Sequence, residues 1–451
     1  MRRTGIAIAL GCLAIQAYAA QAPVLPAKVE RAIEARLEVG QYSALAIVVV
    51  EDGQAAIYPF GKLGNGEVPA ADTVFEIGSI TKTMTATLLA DEVRRGKLKL
   101  DAPVASLLPG FRIPSHAGKA ITLEDLATQR SGLPRLPANL KLSPELTDPY
   151  AKYGVAQLKQ FLAGYALQDD PGAHYEYSNT GFGLLGYALG EKVGHGYAAA
   201  VKARVLDPLG MRDTVLAPEK VHGGKLADGH DNQGRPVPHW HFQVLAPTGG
   251  VLSSARDMQR YLQANMGSLK TPLYPAMQLA QQARADMASA GQRIGLAWMT
   301  QHTRDGDVVW HNGMTGGFAS FIGFTQDRKR GVVVLGNRSE PMDDIGMAVL
   351  APSTELAPPH LRVTLPVGTL EEYVGRYELA KDVIATISRR GDRLFVQVTG
   401  QDAAELSASA RDEFHLWSIG VGISFQRGAD GKVRGLVLHQ HGDHPAPRMV
   451  D

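Results

Sequence analysis

A serine and a lysine stand three residues apart in Phe75-Glu76-Ile77-Gly78-Ser79-Ile80-Thr81-Lys82, at the head of an otherwise apolar run. On a helix that spacing puts both side chains on one face, about 5–6 Å apart at Cβ. A hydroxyl beside an amine that can give up its proton makes a nucleophile with its own base. The bland alternative is a capping serine followed by a surface lysine one turn later. Met84, Ala86, Leu88, Leu89 and Ala90 argue against it, because they imply that much of the helix is buried. A lysine in a buried first turn also faces the positive end of the helix dipole, which disfavours the ammonium form.

Two further stretches carry groups suited to the same chemistry. Tyr177-Ser178-Asn179 lies in "HYEYSNTGFG", and His311-Asn312-Gly313 lies in "VVWHNGMTGGFASFIGF". Taken singly, each has an ordinary structural reading, as a loop with a capping asparagine and as a core histidine before a turn.

The elements that must position these groups are legible from periodicity. "SALAIVVVEDGQAAIYPFG" reads as two strands about an Asp52-Gly53 turn. Helical patterns run from Ser79 to about Gln282, the first of them expected to be amphipathic. Strands return at "RIGLAWMTQ", "DVVWHNG", "FASFIGFTQ" and "GVVVLGN". Strands at both ends with helices between predict an α/β fold: an antiparallel sheet flanked by helices, built from both ends of residues 20–350, with an inserted all-α subdomain. Residues 351–368 hold four prolines and read as a linker. Alternating runs beyond it predict a small all-β domain over 369–451.

Several other patterns look chemical and are read as structural. Gly181-Phe182-Gly183-Leu184-Leu185-Gly186 fits G-x-G-x-x-G, but no strand precedes it and no βαβ unit follows. Small residues there suit a helix packed closely behind Tyr177. His239/His241 and His439/His441 could each share a strand face, yet no third ligand is specified for a metal. Neither H-E-x-x-H nor G-x-S-x-G occurs. No cofactor and no metal are expected.

Ser79-x-x-Lys82, Tyr177-x-Asn179 and His311-x-Gly313, in this order, resemble the active-site triplet of the class C branch of the serine β-lactamase and D-alanyl-D-alanine peptidase superfamily. The resemblance spans about residues 25–350 and includes "SGLP" at 131–134, "DPLGMRDT" at 207–214 and "PTGGVLSSARDM" at 247–258. It implies a β-lactamase-like fold, Ser79 as nucleophile, Lys82 as proton acceptor and Tyr177 as second base. Asn179, His311, Asn312 and Gly313 would bind substrate, with the N–H groups of Ser79 and Met314 as oxyanion hole. The segment after the linker resembles the small β-barrel appended to some relatives. Class C lactamases carry Lys-Thr-Gly where this chain has His311-Asn312-Gly313. A histidine there resembles some D-Ala-D-Ala peptidases, D-amino-acid peptidases and family esterases. It would offer a substrate carboxylate a full charge below about pH 6.5. The expected activity is acyl-enzyme hydrolysis of a β-lactam or related amide. A D-amino-acid peptidase or esterase is the alternative, and a penicillin-binding receptor that barely turns over is a further one.

Composition fits that class and excludes others. The 451 residues carry a formal charge of +1, with 45% hydrophobic and 20% charged residues, which gives no basic stripe for a nucleic-acid partner. A small-molecule or peptidoglycan-derived substrate is expected instead; oligomeric state is not encoded in any recognisable way. "MRRTGIAIALGCLAIQAYA" has the layout of a secretory signal peptide with cleavage after Ala19, which predicts a periplasmic or secreted protein. Cys12 is the sole cysteine, so the mature chain would have no disulfide and no thiolate site. No later apolar run reaches the length of a membrane span.

Overall fold

The computed structural model describes residues 22–142, 147–417, 420–440 and 442–449. The leader with its cleavage site, Cys12 and His441 lie outside them. Helix α1 (Ala27–Glu38) leads into an antiparallel sheet whose first strands, β1 (Ala44–Glu51) and β2 (Gln54–Gly61), turn at Asp52-Gly53. Both turn residues have positive φ, 46° and 82°, as a two-residue hairpin of this twist requires. Helices then dominate up to Gln281, among them α2 (Thr81–Arg94), α3 (Asn179–Val193) and α4 (Ala255–Met266). The sheet resumes as β3 (Ala285–Asp286), β4 (Gln292–Ile294), β5 (Met299–Thr303), β6 (Gly306–Met314), β7 (Ala319–Thr325) and β8 (Arg330–Gly336), and α5 (Asp343–Leu350) follows.

Strand order is β2-β1-β8-β7-β6-β5-β4-β3, so the two halves of the chain meet where β1 pairs with β8. The expected sheet built from both ends is therefore present, with the helical stretch inserted between β2 and β3. β1 reads Ala-Leu-Ala-Ile-Val-Val-Val without alternation because both its faces are covered. Ala46, Val48 and Val50 pack with α2 and the inserted helices, while Leu45, Ile47 and Val49 pack with α1 and α5. β2 is an edge strand, largely half-exposed, and tolerates Pro59 there.

Residues 354–366 form neither helix nor strand, and a short helix begins at Val367. The stretch is fastened down rather than free. Glu340, with its side chain fully buried, takes His360 Nδ1 at 3.0 Å and an ion pair from Arg362. Val363 N donates to Ala408 O, 2.9 Å away. Beyond it eight strands, from Gly375–Ala380 to Asp443–Pro447, pair in sequence order. A bridge between Tyr377 and Arg448 brings the last strand back to the first, giving the near-barrel expected of this segment. Arg235 joins it to the main body through a two-pronged pair with Glu405, 2.9 and 2.8 Å.

Candidate active site

Ser79 sits in a single 3-10 turn, Gly78–Ile80, immediately before α2. It caps nothing: α2 has no side-chain cap. Nor is α2 amphipathic, as the sequence pattern suggested, because every residue from Thr81 to Glu92 is buried. Its alternate threonines satisfy themselves inside the core. Thr83 Oγ1 donates to Ile80 O at 2.7 Å and Thr87 Oγ1 to Thr83 O at 2.9 Å. Thr85 Oγ1 lies 2.8 Å from Tyr197 Oη. Hydroxyls that bond back to the helix let a half-polar sequence behave as core.

Gly78 decides where the turn lies. Its φ is +47°, and a Cβ there would fall 2.6 Å from Met314 N. The turn therefore presses against the end of β6, which brings the backbone at Ser79 beside that at Met314. Gly313 is demanded for the same reason: a Cβ would stand 2.1 Å from Ile77 O, which already accepts from Ser320 Oγ at 2.9 Å.

Three polar groups converge on this floor. Lys82 Nζ lies 2.9 Å from Ser79 Oγ, and Tyr177 Oη donates to the same Oγ at 2.6 Å. Lys82 also donates to Thr248 O at 2.7 Å. The lysine is fully buried with no carboxylate partner among the described residues, so burial, helped by the charge of Arg135, pushes its pKa far below the usual lysine range. Burial moves Tyr177 the other way, well above the ordinary phenol range, although its bond to Ser79 and the charge of Arg135 oppose the shift. Both shifts favour the uncharged forms, a neutral amine and an intact phenol. The consistent wiring is Tyr177 O–H to Ser79 Oγ, Ser79 O–H to the Lys82 lone pair, and Lys82 N–H to Thr248 O.

Above this floor opens a cavity of about 620 Å³. Alternation along β6 sends Trp310, Asn312 and Met314 to it. His311 faces the other way. It is 2% exposed, and its Nδ1 lies 2.6 Å from Asn312 O. Burial and the nearby Lys82 push it down to about 3, so the charge expected of it in mild acid is not available at the cavity wall. Asn312 Nδ2 instead donates to Asp343 Oδ2, 2.7 Å away. On the opposite wall Asn179 Oδ1 is buried without a hydrogen-bond partner among the described residues. Tyr150 stacks on Phe242 at 4.8 Å between ring centroids and meets Trp240 edge-on at 5.2 Å, forming an aromatic side.

Arg135, Tyr150, Thr248 and Asp343 were not singled out from sequence. Arg135 and Thr248 adjoin or lie in stretches that carry the family resemblance, and a closer reading of "SGLPR" and "PTGG" would have found them. Tyr150 and Asp343 carry no local signal. The glycine-rich decoy does pack closely, as expected. Added Cβ atoms at Gly183 and Gly186 would lie 2.4 Å from Leu245 and 2.1 Å from Pro247. Those glycines seat α3 against the segment whose Thr248 holds Lys82. His239 and His241 do not share a strand: one lies 2.8 Å from Glu76 Oε1 and the other 2.7 Å from Asp148 Oδ2. Among the described residues no helix is long and apolar enough to cross a membrane, and no cluster of three metal-binding side chains occurs.

Comparison with known proteins gives the same geometry a context. The model of the family described as Beta-lactamase matches residues 29–353, and a domain of unknown function, DUF3471, matches 361–448. The D-alanyl-D-alanine-carboxypeptidase/endopeptidase AmpH of Escherichia coli K12 is 28% identical over 314 residues, covering 66% of this chain and 80% of that protein. A beta-lactamase of Providencia stuartii is 27% identical over 375 residues, covering 75% and 93%. The solved structure of a class C beta-lactamase superposes with a TM-score of 0.62 at 24% identity, over 73% of this chain and 96% of the other.

Proposed function

The chain belongs to the β-lactamase family and is a serine hydrolase, and from that premise we propose that Ser79, Lys82 and Tyr177 run its acyl-transfer cycle. The observation that carries this reading is a buried amine without a counter-ion, 2.9 Å from a serine oxygen. Ser79 Oγ bonds to the substrate carbonyl carbon while its proton passes to the neutral Lys82 amine. The N–H groups of Ser79 and Met314 receive the oxyanion, a type of contact worth about 2.7–4 kcal/mol per donor. When the tetrahedral adduct collapses, the carbonyl carbon parts from the leaving nitrogen or oxygen. That atom takes a proton from the Tyr177 phenol, and the proton that Ser79 gave to Lys82 passes on to the Tyr177 oxygen, since Ser79 Oγ is now an ester oxygen with none to relay. Water then attacks the acyl carbon and gives its proton to the Lys82–Tyr177 pair; the bond to Ser79 Oγ breaks and Oγ takes that proton back. Asn179, with its unpartnered Oδ1, would take an N–H of the substrate.

The substrate is a β-lactam or related amide, as for the beta-lactamase and carboxypeptidase relatives, and the protein works after export, in a periplasm or outside the cell. A peptidase for D-amino-acid peptides is the second reading, favoured by His311 in the place of a lysine. Purified mature protein assayed with nitrocefin separates the readings. Sustained turnover supports the lactamase, a burst without steady state supports an acylated receptor, and neither supports the peptidase or an esterase. Intact-protein mass after exposure to acyl donors of all three kinds tests the nucleophile. An adduct mapped to Ser79 is expected, and adducts confined to another residue would overturn the assignment.

A further inference from the structure

The strand-β6 wall of the cavity lacks any positive group and holds a carboxyl. Asp343, the first residue of α5, lines the cavity beside Asn312, Trp310 and Met299. Its Oδ2 is fixed by Asn312 Nδ2 at 2.7 Å, and among the described residues no cation pairs with it. Its neighbour Asp344 is different, being taken by Arg36. A helix start alone would favour the carboxylate. Burial outweighs that and, with the charge of Asp344, pushes Asp343 up to about 6 despite its bond from Asn312. Above that pH it stands ionised and unpaired in the wall. The cation among the lining residues, Arg135, belongs to the other side, 5.2 Å from the Tyr177 ring centroid. His311 is turned away and neutral.

We infer that this wall selects acyl donors that present a protonated amine to Asp343 and disfavours donors that present a carboxylate there. The inference rests on the Ser79 chemistry proposed above, adds the substrate's charge to it, and so favours a related amide, peptide or ester over the carboxylate-bearing β-lactams. An ammonium would gain the unpaired carboxylate oxygen, which is suited to a cation. A carboxylate would meet a like charge with no lysine or arginine on β6 to offset it.

The test uses three acyl donors identical but for one substituent: ammonium, neutral or carboxylate. One series carries it on the acyl side and a second on the leaving group, and kcat/KM is measured for full-length wild type, D343N and D343E. In at least one series the wild type should prefer ammonium over carboxylate by about tenfold or more, a scale set by one charge–charge contact near the surface. D343N should lower that ratio by about tenfold, mainly through KM, and D343E should retain most of it. A carboxylate preference in wild type, or a ratio unmoved by D343N, overturns the inference. The wild-type ratio decides even if a variant fails to fold. Ser79 adducts are followed by mass in parallel. An adduct with an unmoved ratio removes the inference alone, whereas no adduct with any donor removes the nucleophile and the inference together.

Discussion

Arg36 and Lys82 are both buried cations, and they are treated in opposite ways. Arg36, on α1, is held by Asp344, by Tyr42 Oη at 2.8 Å and by Ala357 O at 2.8 Å. Burial works against its charge, yet the hydrogen bonds and charge of Asp344 and Tyr42 outweigh burial and shift its pKa upward. Lys82 receives a hydroxyl and a carbonyl and no anion, so burial wins and the charge is given up. The paired guanidinium of Arg36 ties elements together; the unpaired amine of Lys82 is left as a base. The acids of residues 340–343 divide in the same way. Glu340 is enclosed by His360 and Arg362 and fastens the C-terminal segment, while Asp343 faces the cavity with an amide alone.

The contrast breaks if the two cations respond alike to removal. Lys82→Met should lower kcat/KM by about 10³-fold, within the range for a positioned base. It should leave stability within about 1 kcal/mol of wild type, because it also abolishes the cost of burying an ionisable group. Arg36→Met should do the reverse. Leaving Asp344 without its partner should cost about 3 kcal/mol in urea unfolding, with kcat per folded molecule unchanged. Gly186→Val sharpens the comparison from behind the base: its side chain must displace Pro247, next to Thr248. A loss of about 2 kcal/mol is expected, with a fall in kcat that Arg36→Met does not share.

Smallest of all is the pH signature. Lys82 binds a proton in the unfolded chain at pH values where the folded chain has lost it, so stability should rise with pH from its depressed folded pKa up to the ordinary lysine range, and Lys82→Met should flatten that rise. In the pH profile of kcat/KM, the acid limb should follow the depressed pKa of Lys82 and vanish from the ordinary lysine range, with no basic limb from Tyr177, whose pKa is raised.

Much of this was legible in the sequence, and the gaps have physical causes. Ser79 and Lys82 could be paired because helical spacing fixes their distance, and the core strands because alternation or its absence reports covered faces. That much of α2 is buried was legible; that its threonines are buried as well was not, because Thr83, Thr85 and Thr87 are accommodated by hydroxyls bonded inside the core. The orientation of His311 was available in principle. Strand alternation sets it opposite Asn312, and the resemblance drew attention to the residue's type rather than its face. Asp343 depends on how α5 returns to β6, a contact between residues 31 apart in the chain that no local pattern encodes.

The most direct test is the protonation state of Lys82 itself. Titration of the lysine Cε signals by NMR in isotope-labelled protein, with Lys82→Met to assign the resonance, reads it without reference to any substrate. The account predicts one lysine in the neutral-amine position at pH 7, titrating well below all the others. A Lys82 signal that stays ammonium-like up to the ordinary lysine range would contradict it.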